Sequence, residues 1–364
     1  MKSIYPATAF VCFFLFALLR YPKAMLAASA SSASLWFSTI LPSLFPFLTA
    51  AGILFRLGAA EKVGRLLQPL MKPVFRLSGI CAFPLFLGLL SGYPMGAKIT
   101  ALLYEERKIT KAEAQKILAF CNCPSALFLI GTVGTGFFGS PVWGYAFFIC
   151  AVSGTLLTGI LVRFLPAPPC PTSSFSTQTK KEGFSSLFSS SIGDALATVM
   201  QIGGYIMFFS ILTEALKEMG IFSLLGHMLC VLPVSTEYLM AMGSGLMEMT
   251  TGANLLSQTP DSAKLCMTSA LFLVSFGGIS ILGQTLDILR SVPISAVKYT
   301  LCKLCNALCS SLLFLLTFPF WEKTTEKAVP TLSLQGTVCP DAAMMIPVFL
   351  LLGILILTSL RRRK

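Results

Sequence analysis

The chain has 364 residues, of which 55% are hydrophobic and only 12% charged, and its mean hydropathy is +0.80. Soluble domains carry roughly 25% charged residues, so this composition argues against a soluble globular protein and for a polytopic membrane protein. The net charge of +12 sits in short Lys and Arg clusters between apolar windows. That is the pattern of cytoplasmic loops rather than of a nucleic-acid surface.

Taken in order, residues 3–19 form an apolar window behind Lys2. The window lacks a convincing small-residue cleavage site and runs into further apolar sequence, so it reads as a first span rather than a signal peptide. Windows 24–55, 77–97, 117–162 and 342–360 contain no Asp, Glu, Lys or Arg, and 195–216, 265–286 and 293–320 are shorter or lightly charged. A spanning helix needs about 20 apolar residues, which predicts roughly eight to ten membrane elements. Residues 166–176, rich in Pro, Ser and Thr, and the mixed segment 321–341 have linker character. The expected organisation is a span and connector (1–34), a first repeat (35–165), a cytoplasmic linker (166–190), a second repeat (191–320), an outer loop (321–341) and a final span with a basic tail (342–364).

The two halves match in spacing. Ser91-Gly92-Tyr93-Pro94-Met95-Gly96-Ala97 precedes Asn122-Cys123-Pro124-Ser125 by the same 31-residue step that separates Ser244-Gly245 from Ser275-Phe276-Gly277-Gly278. Charge placement then predicts geometry. Segments 56–76 and 104–116 are both strongly basic, although 77–97 lies between them. Both should be cytoplasmic, so the window between them enters and leaves by one face as a re-entrant hairpin, broken near Pro84, Gly88 and Gly92. Following the chain onward places a second hairpin, around residues 240–252, on the other side. The expected fold is thus an all-α polytopic membrane protein of two inverted repeats with re-entrant hairpins and broken helices. Such folds bind substrate near the midplane, where the repeats meet.

Glu248 lies in Gly245-Leu246-Met247-Glu248-Met249-Thr250-Thr251-Gly252, remote from other charges. It reads either as a ligand for substrate or a coupling ion, or as a water-exposed hairpin tip. Lys98 could attract an anion or pair with Glu248, or could close a cytoplasmic turn. The stretch from Asn122 to Ser125 offers freed carbonyls and polar side chains, or is a structural kink. Ser275, Gly277, Gly278 and Ser280, with Gln284 one turn on, supply a matching unwound stretch, although glycine pairs also serve plain helix packing.

The twelve cysteines lie mostly in apolar windows and behave as small hydrophobes. Cys302, Cys305 and Cys309 recur at helical spacing but lack a His or carboxylate nearby, so no metal site is expected. His227 is the only histidine and has no apparent partner in sequence. No catalytic nucleophile with its partners, phosphate loop or dinucleotide fingerprint is found, which argues against an enzyme or an ATP-driven pump.

Leu41-Pro42-Ser43-Leu44-Phe45-Pro46-Phe47, Ser91-Gly92-Tyr93-Pro94-Met95-Gly96-Ala97-Lys98, the Gly245 to Gly252 run and Ser275-Phe276-Gly277-Gly278 together resemble the sporulation integral membrane proteins of the YlbJ (SpoVV) type. That group belongs with proteins carrying the nucleoside recognition, or Gate, domain and is similar in architecture to concentrative nucleoside transporters. The resemblance implies transport of dipicolinic acid across a forespore membrane, placing the protein in a bacterial cytoplasmic membrane with its C-terminus cytoplasmic. A planar dianion would suit Lys98, the hydroxyls of Ser91, Ser125, Thr250 and Thr251, half-helix N-termini and the Tyr93 ring. Glu248 would then serve coupling to H+ or Na+, or pair with Lys98, because like charges at one site repel. No cofactor is implied; the partners are the solute and the bilayer. A nucleoside carrier and a non-transporting sporulation scaffold are the rival readings.

Overall fold

The computed structural model describes residues 4–165, 184–228 and 233–328. The expected final span, 342–364, and most of the linker lie outside the described residues. All regular structure among the described residues is helical. Four helices are long and apolar enough to cross a membrane: Pro141–Val162, Ser185–Glu218, Ala263–Ile288 and Ala296–Thr325. Two bent pairs, Thr8–Arg20 with Pro22–Ser38 and Leu44–Arg56 with Ala59–Phe75, raise the number to six. The remaining apolar windows among the described residues form shorter, broken helices.

Helices α1 (Ile4–Arg20) and α2 (Pro22–Leu35) are followed without a gap by a π-helical turn, Trp36–Ile40, and by α3 (Leu41–Arg56). Pro42 and Pro46 cannot donate to the preceding turn, and the widened π turn falls immediately before them. Gly58, with φ of +75°, then turns the chain by 82° into α4 (Ala59–Phe75). Segment 56–76 was expected as a basic loop. It is instead an amphipathic helix, with Ala60, Gly64, Met71 and Val74 buried and Lys62, Arg65 and Lys72 exposed.

Window 77–97 does not form one long helix. It forms α5 (Ala82–Ser91) and the first part of α6 (Met95–Glu105), broken between Gly92 and Pro94. Pro84 and Gly88, expected near the break, lie within α5. Gly88 has a packing reason: a Cβ there, or at Gly96, would collide with the carbonyl of Cys121. Helix α7 (Lys111–Cys121) starts on a capping box formed by Thr110 and Glu113. After the break comes a π-helical segment, Phe128–Phe137, and then α8 (Pro141–Val162).

The second half repeats this order. Helix α9 (Phe184–Glu218) begins inside the segment expected as linker, and α10 (Ile221–Met228) follows. Helices α11 (Thr236–Met247) and α12 (Met249–Leu256) form the second hairpin, α13 (Ala263–Phe276) and α14 (Gly278–Ile288) the second broken helix, and α15 (Ala296–Ala328) the last described span. Helix α15 extends beyond residue 320 into the expected outer loop. The second hairpin turns at Glu248, so Ser244 and Gly245 lie in its first arm rather than at its tip.

Polar contacts tie each hairpin at its base. The Ser78 N–H donates to Glu113 Oε1 at 2.9 Å, and the Ser235 N–H donates to Asp261 Oδ1 at 3.0 Å. The basic segments 56–76 and 104–116 touch through Lys108, whose ammonium is 2.5 Å from the buried Glu61 carboxylate and 2.5 Å from Glu106. Partial burial disfavours the Lys108 charge, but hydrogen bonds to Glu106 and Glu61 outweigh it and hold its pKa above the ordinary lysine value. Its stabilising effect is therefore present at neutral pH and lost only as pH rises past the lysine range.

The far end of the second broken helix reaches this same end of the bundle. Ser291 Oγ donates to Glu105 at 2.6 Å, and the Ser295 N–H donates to Gln115 Oε1 at 2.7 Å. Asp261 stands at the opposite end of that span, so the two hairpins enter from opposite ends of the bundle. Helices α8 and α15 pack along one another, with Gly154 against Ser310, Asn306 Nδ2 donating to Thr155 at 3.1 Å, and Trp143 stacked on Phe318.

Three outcomes follow. In a cysteine-depleted background, Lys62→Cys and Arg107→Cys should react with an impermeant maleimide from the same side of the membrane; labelling from opposite sides would contradict the hairpin. Gly88→Val should yield no folded protein by detergent size-exclusion chromatography. Gly193→Ala, with open space around the site, should leave the thermal midpoint unchanged or raised, by about 0.5–1 kcal/mol in stability.

Candidate functional site

The two hairpin tips and the two helix breaks surround one cavity of about 110 Å³. Ser91 and Tyr93 reach it from the first hairpin, Ser125 from the first break, Glu248 and Thr250 from the second hairpin, and Ser280 and Gln284 from α14. Ser91 and Tyr93 lead into the start of α6, Ser125 precedes the π-helical segment, Glu248 and Thr250 stand at the start of α12, and Ser280 lies in the first turn of α14 with Gln284 one turn further on. Four helix N-termini, each a positive dipole end, thus line one small space.

Glu248 is buried at 9% exposure, which removes the water-exposed reading of the tip. Its extended backbone ends α11 and its side chain caps α12, accepting from the Thr250 N–H at 2.9 Å, the Thr251 N–H at 2.7 Å and the Thr251 hydroxyl at 2.8 Å. Three donors from one helix start fix the orientation of this carboxylate. Ser91 Oγ and Gln284 Oε1 are buried polar atoms of the cavity wall with no hydrogen-bond partner. Unmet acceptors and donors at such depth cost about 1–3 kcal/mol each, which a polar solute can recover.

Beside the cavity lies a buried network that crosses between the halves. The Tyr93 hydroxyl donates to the carbonyls of Ser275 at 2.9 Å and Val274 at 3.2 Å, at the end of α13. The Lys303 ammonium, on α15 and 1% exposed, donates to Tyr93 Oη at 2.8 Å and to the Asn122 carbonyl at 2.9 Å. It also sits 4.8 Å from the centre of the Tyr93 ring. Asn122 Nδ2 donates to Tyr299 Oη at 2.8 Å and Thr285 Oγ1 at 3.0 Å. The freed carbonyl of the first break is thereby satisfied by a side chain of the other half.

Of the residues singled out from sequence, Ser91, Tyr93, Ser125, Glu248, Thr250 and Ser280 share the cavity. Thr251 holds Glu248 from within α12, and Asn122 and the Ser275 carbonyl belong to the adjoining network. Gly277 and Gly278, with φ of +91° and +68°, make the second break, and Gly278 packs against the carbonyls that end α11. Lys98 is the exception. It lines a separate cavity of about 160 Å³ beside Arg56, Glu106 and Asp194, so the Lys98–Glu248 pair is not formed. The reason is direction: Lys98 lies one turn past the start of α6, toward the hairpin base, where Arg56 bonds Asp194 at 2.7 Å.

Sequence reading passed over Lys303, although it was visible as a lysine within window 293–320. Tyr299 and Thr285 carry no sequence mark that separates them from ordinary helix residues. The side chain of His227 lies outside the described set.

The arrangement belongs to an integral membrane protein with a Gate segment: residues 37–148 match the family described as nucleoside recognition. The chain is also 28% identical over 317 residues to the sporulation integral membrane protein YlbJ of Bacillus subtilis (strain 168), covering 80% of this chain and 78% of that protein. The resemblance read from the motifs is thus matched by similarity to this protein over most of the chain. Among solved structures, two outward-facing variants of CNTnw superpose with TM-scores of 0.44 and 0.44 at 11% and 12% identity, covering 86% and 87% of this chain and 92% and 84% of theirs.

Substitutions should separate the cavity wall from the network. Asn122→Ala removes two side-chain hydrogen bonds and should destabilise the protein by about 2–4 kcal/mol, read as a lowered thermal midpoint in detergent. Ser91→Ala removes a group with no partner and should change stability by less than about 0.5 kcal/mol.

Proposed function

We propose that the protein is a secondary carrier of a small anionic metabolite, with dipicolinate as the favoured solute, moved across a forespore membrane during endospore formation. The observation that carries this reading is the convergence of four half-helix N-termini on one buried cavity whose wall includes unpartnered polar atoms. Helix N-termini favour negative charge, and hydroxyls and N–H groups supply directional contacts without adding negative charge. At about 110 Å³ the cavity is smaller than the roughly 150 Å³ that accepts a benzene ring, so even a compact planar solute requires the site to open somewhat. A nucleoside, with a base and a ribose, would need a substantially opened site, although the description of the matched Gate segment favours it as the second reading.

In this mechanism Glu248 orients the tip of the second hairpin. Its carboxylate is already occupied by three donors of its own helix, which lessens its repulsion of an incoming carboxylate. Tyr93 offers a ring face and ties the first hairpin to the second break. Opening one hairpin at a time against the shared cavity would give alternating access. The printed description of the YlbJ relative as a sporulation protein supports the cellular setting.

Proteoliposomes containing the protein should take up labelled dipicolinate faster than empty liposomes. Glu248→Ala should lower that uptake by at least about tenfold, near 1.4 kcal/mol of lost transition-state stabilisation, and Glu248→Gln by less, because an amide oxygen still accepts an N–H. Uptake of uridine, with dipicolinate neither transported nor competing, would favour the nucleoside carrier. Intact assembly with no flux of either solute would leave a structural role.

A further inference from the structure

We propose that Lys303 is the proton-binding group of this carrier, and that its charge state decides whether Tyr93 latches the first hairpin onto the second helix break. The inference rests on the carrier reading for its role in transport, but the latch itself stands on the contacts around Lys303. A lysine at this depth is expensive unless it is paired, hydrated or deprotonated. Here the ammonium donates to a neutral hydroxyl and a carbonyl, and among the described residues no carboxylate forms an ion pair with it.

The groups that face it carry no compensating charge. The first hairpin presents Tyr93, the first break Cys121, Cys123 and the Asn122 carbonyl, and the second broken helix the Tyr93-bound carbonyls of Val274 and Ser275. Along α15 itself stands Tyr299, and α8 offers the neutral Thr155 to Asn306. Glu248 is engaged by its own helix at the cavity wall.

The Tyr93 hydroxyl has one hydrogen. When Lys303 is an ammonium, Lys303 donates to Tyr93 Oη, and Tyr93 must use its hydrogen on the Ser275 and Val274 carbonyls, the arrangement seen here. When Lys303 loses H+ to solvent, its amine keeps two N–H donors, one still available to the Asn122 carbonyl, and gains a lone pair that competes with the Ser275 and Val274 carbonyls for the Tyr93 hydrogen. The proton therefore holds a contact between the two halves. An anion in the adjoining cavity supplies the missing countercharge, so anion binding and proton binding assist each other by the same factor. One proton would enter with each anion, the latch would close on the loaded site, and loss of both would release it.

The latch is tested on the full-length protein in detergent without solute, by amide hydrogen exchange of the peptides spanning residues 92–96 and 274–278, expressed as protection relative to the unstructured rate. Protection in the wild type should fall about tenfold across a single-proton transition as pH rises. Lys303→Arg, which keeps its proton, should remain protected throughout. Lys303→Met, which offers no amine lone pair to draw the hydroxyl away, should stay protected at every pH, whereas Tyr93→Phe should be unprotected at every pH, with the thermal midpoint of each checked to show that it folds. A wild-type transition that persists in Lys303→Met, or no transition in the wild type, would overturn the latch. In proteoliposomes, an imposed inward proton gradient should drive dipicolinate accumulation by the wild type, whereas Lys303→Arg should equilibrate dipicolinate without accumulating it. Absence of any wild-type dipicolinate flux would sink the carrier reading and leave the exchange result to decide the latch.

Discussion

A helix broken at membrane depth exposes backbone groups that neither lipid nor water can satisfy, and the whole arrangement turns on how those groups are met. In this protein the first break hands the Asn122 carbonyl to Lys303 of the second half, and the second break hands the Ser275 and Val274 carbonyls to Tyr93 of the first. Each half completes the other's hydrogen bonding. Neither half could keep its break buried alone without orphaned carbonyls costing about 1–3 kcal/mol each. The meeting of the halves is therefore set by backbone chemistry, with apolar packing of α8 against α15 filling in around it. The cavity is what remains between four helix starts that cannot close further on one another.

Glycine makes that closeness available. Gly88 and Gly96 seat the first hairpin on the Cys121 carbonyl, Gly92 meets Ser125, and Gly245 meets Gly252 across the second hairpin. These contacts bring backbone to backbone, which side chains would forbid. They also explain why the two hairpins differ in where they turn while sharing a role. The first turns at Gly92 with positive φ, whereas the second turns at Glu248, whose extended backbone and capping carboxylate take the place of a glycine.

Much of this was legible in the chain. Paired basic segments around an uncharged window imply a hairpin that returns to its own side, and the contact of Lys108 with Glu61 puts both segments together. The isolated Glu248 and the Asn122 to Ser125 interruption stood out because each breaks an apolar run. What stayed hidden were features decided by direction rather than composition. Segment 56–76 is basic and carries two prolines, which suggested a loop, but its apolar residues fall on one face and make a helix lying across the bundle end. Lys98 follows a hairpin tip in sequence yet points back toward the base, because one helical turn past the tip already lies on the way out. Lys303 shares its helix with Lys298, and only the contacts of Tyr93 and Asn122 distinguish a buried cation from a solvated one.

The two halves are alike in architecture but unequal in charge, and that inequality is what makes the fold capable of direction. At the tips, Tyr93 in the first hairpin faces Glu248 in the second; at the breaks, Asn122 corresponds to Ser275. On the long helices, the stretch of α8 that matches the position of Lys303, Phe148 to Cys150, bears no charge. A symmetric pair of units would open with equal ease toward either side for any solute. Here the most deeply buried ammonium among the described residues, that of Lys303, is on α15, bonded to the first hairpin's tip, while the second hairpin's carboxylate is consumed by its own helix. In the proposed carrier a change in charge at the centre, whether a proton lost or an anion gained, would act on one hairpin and leave the other in place. That selective action is what alternating access requires of two units that share a single site.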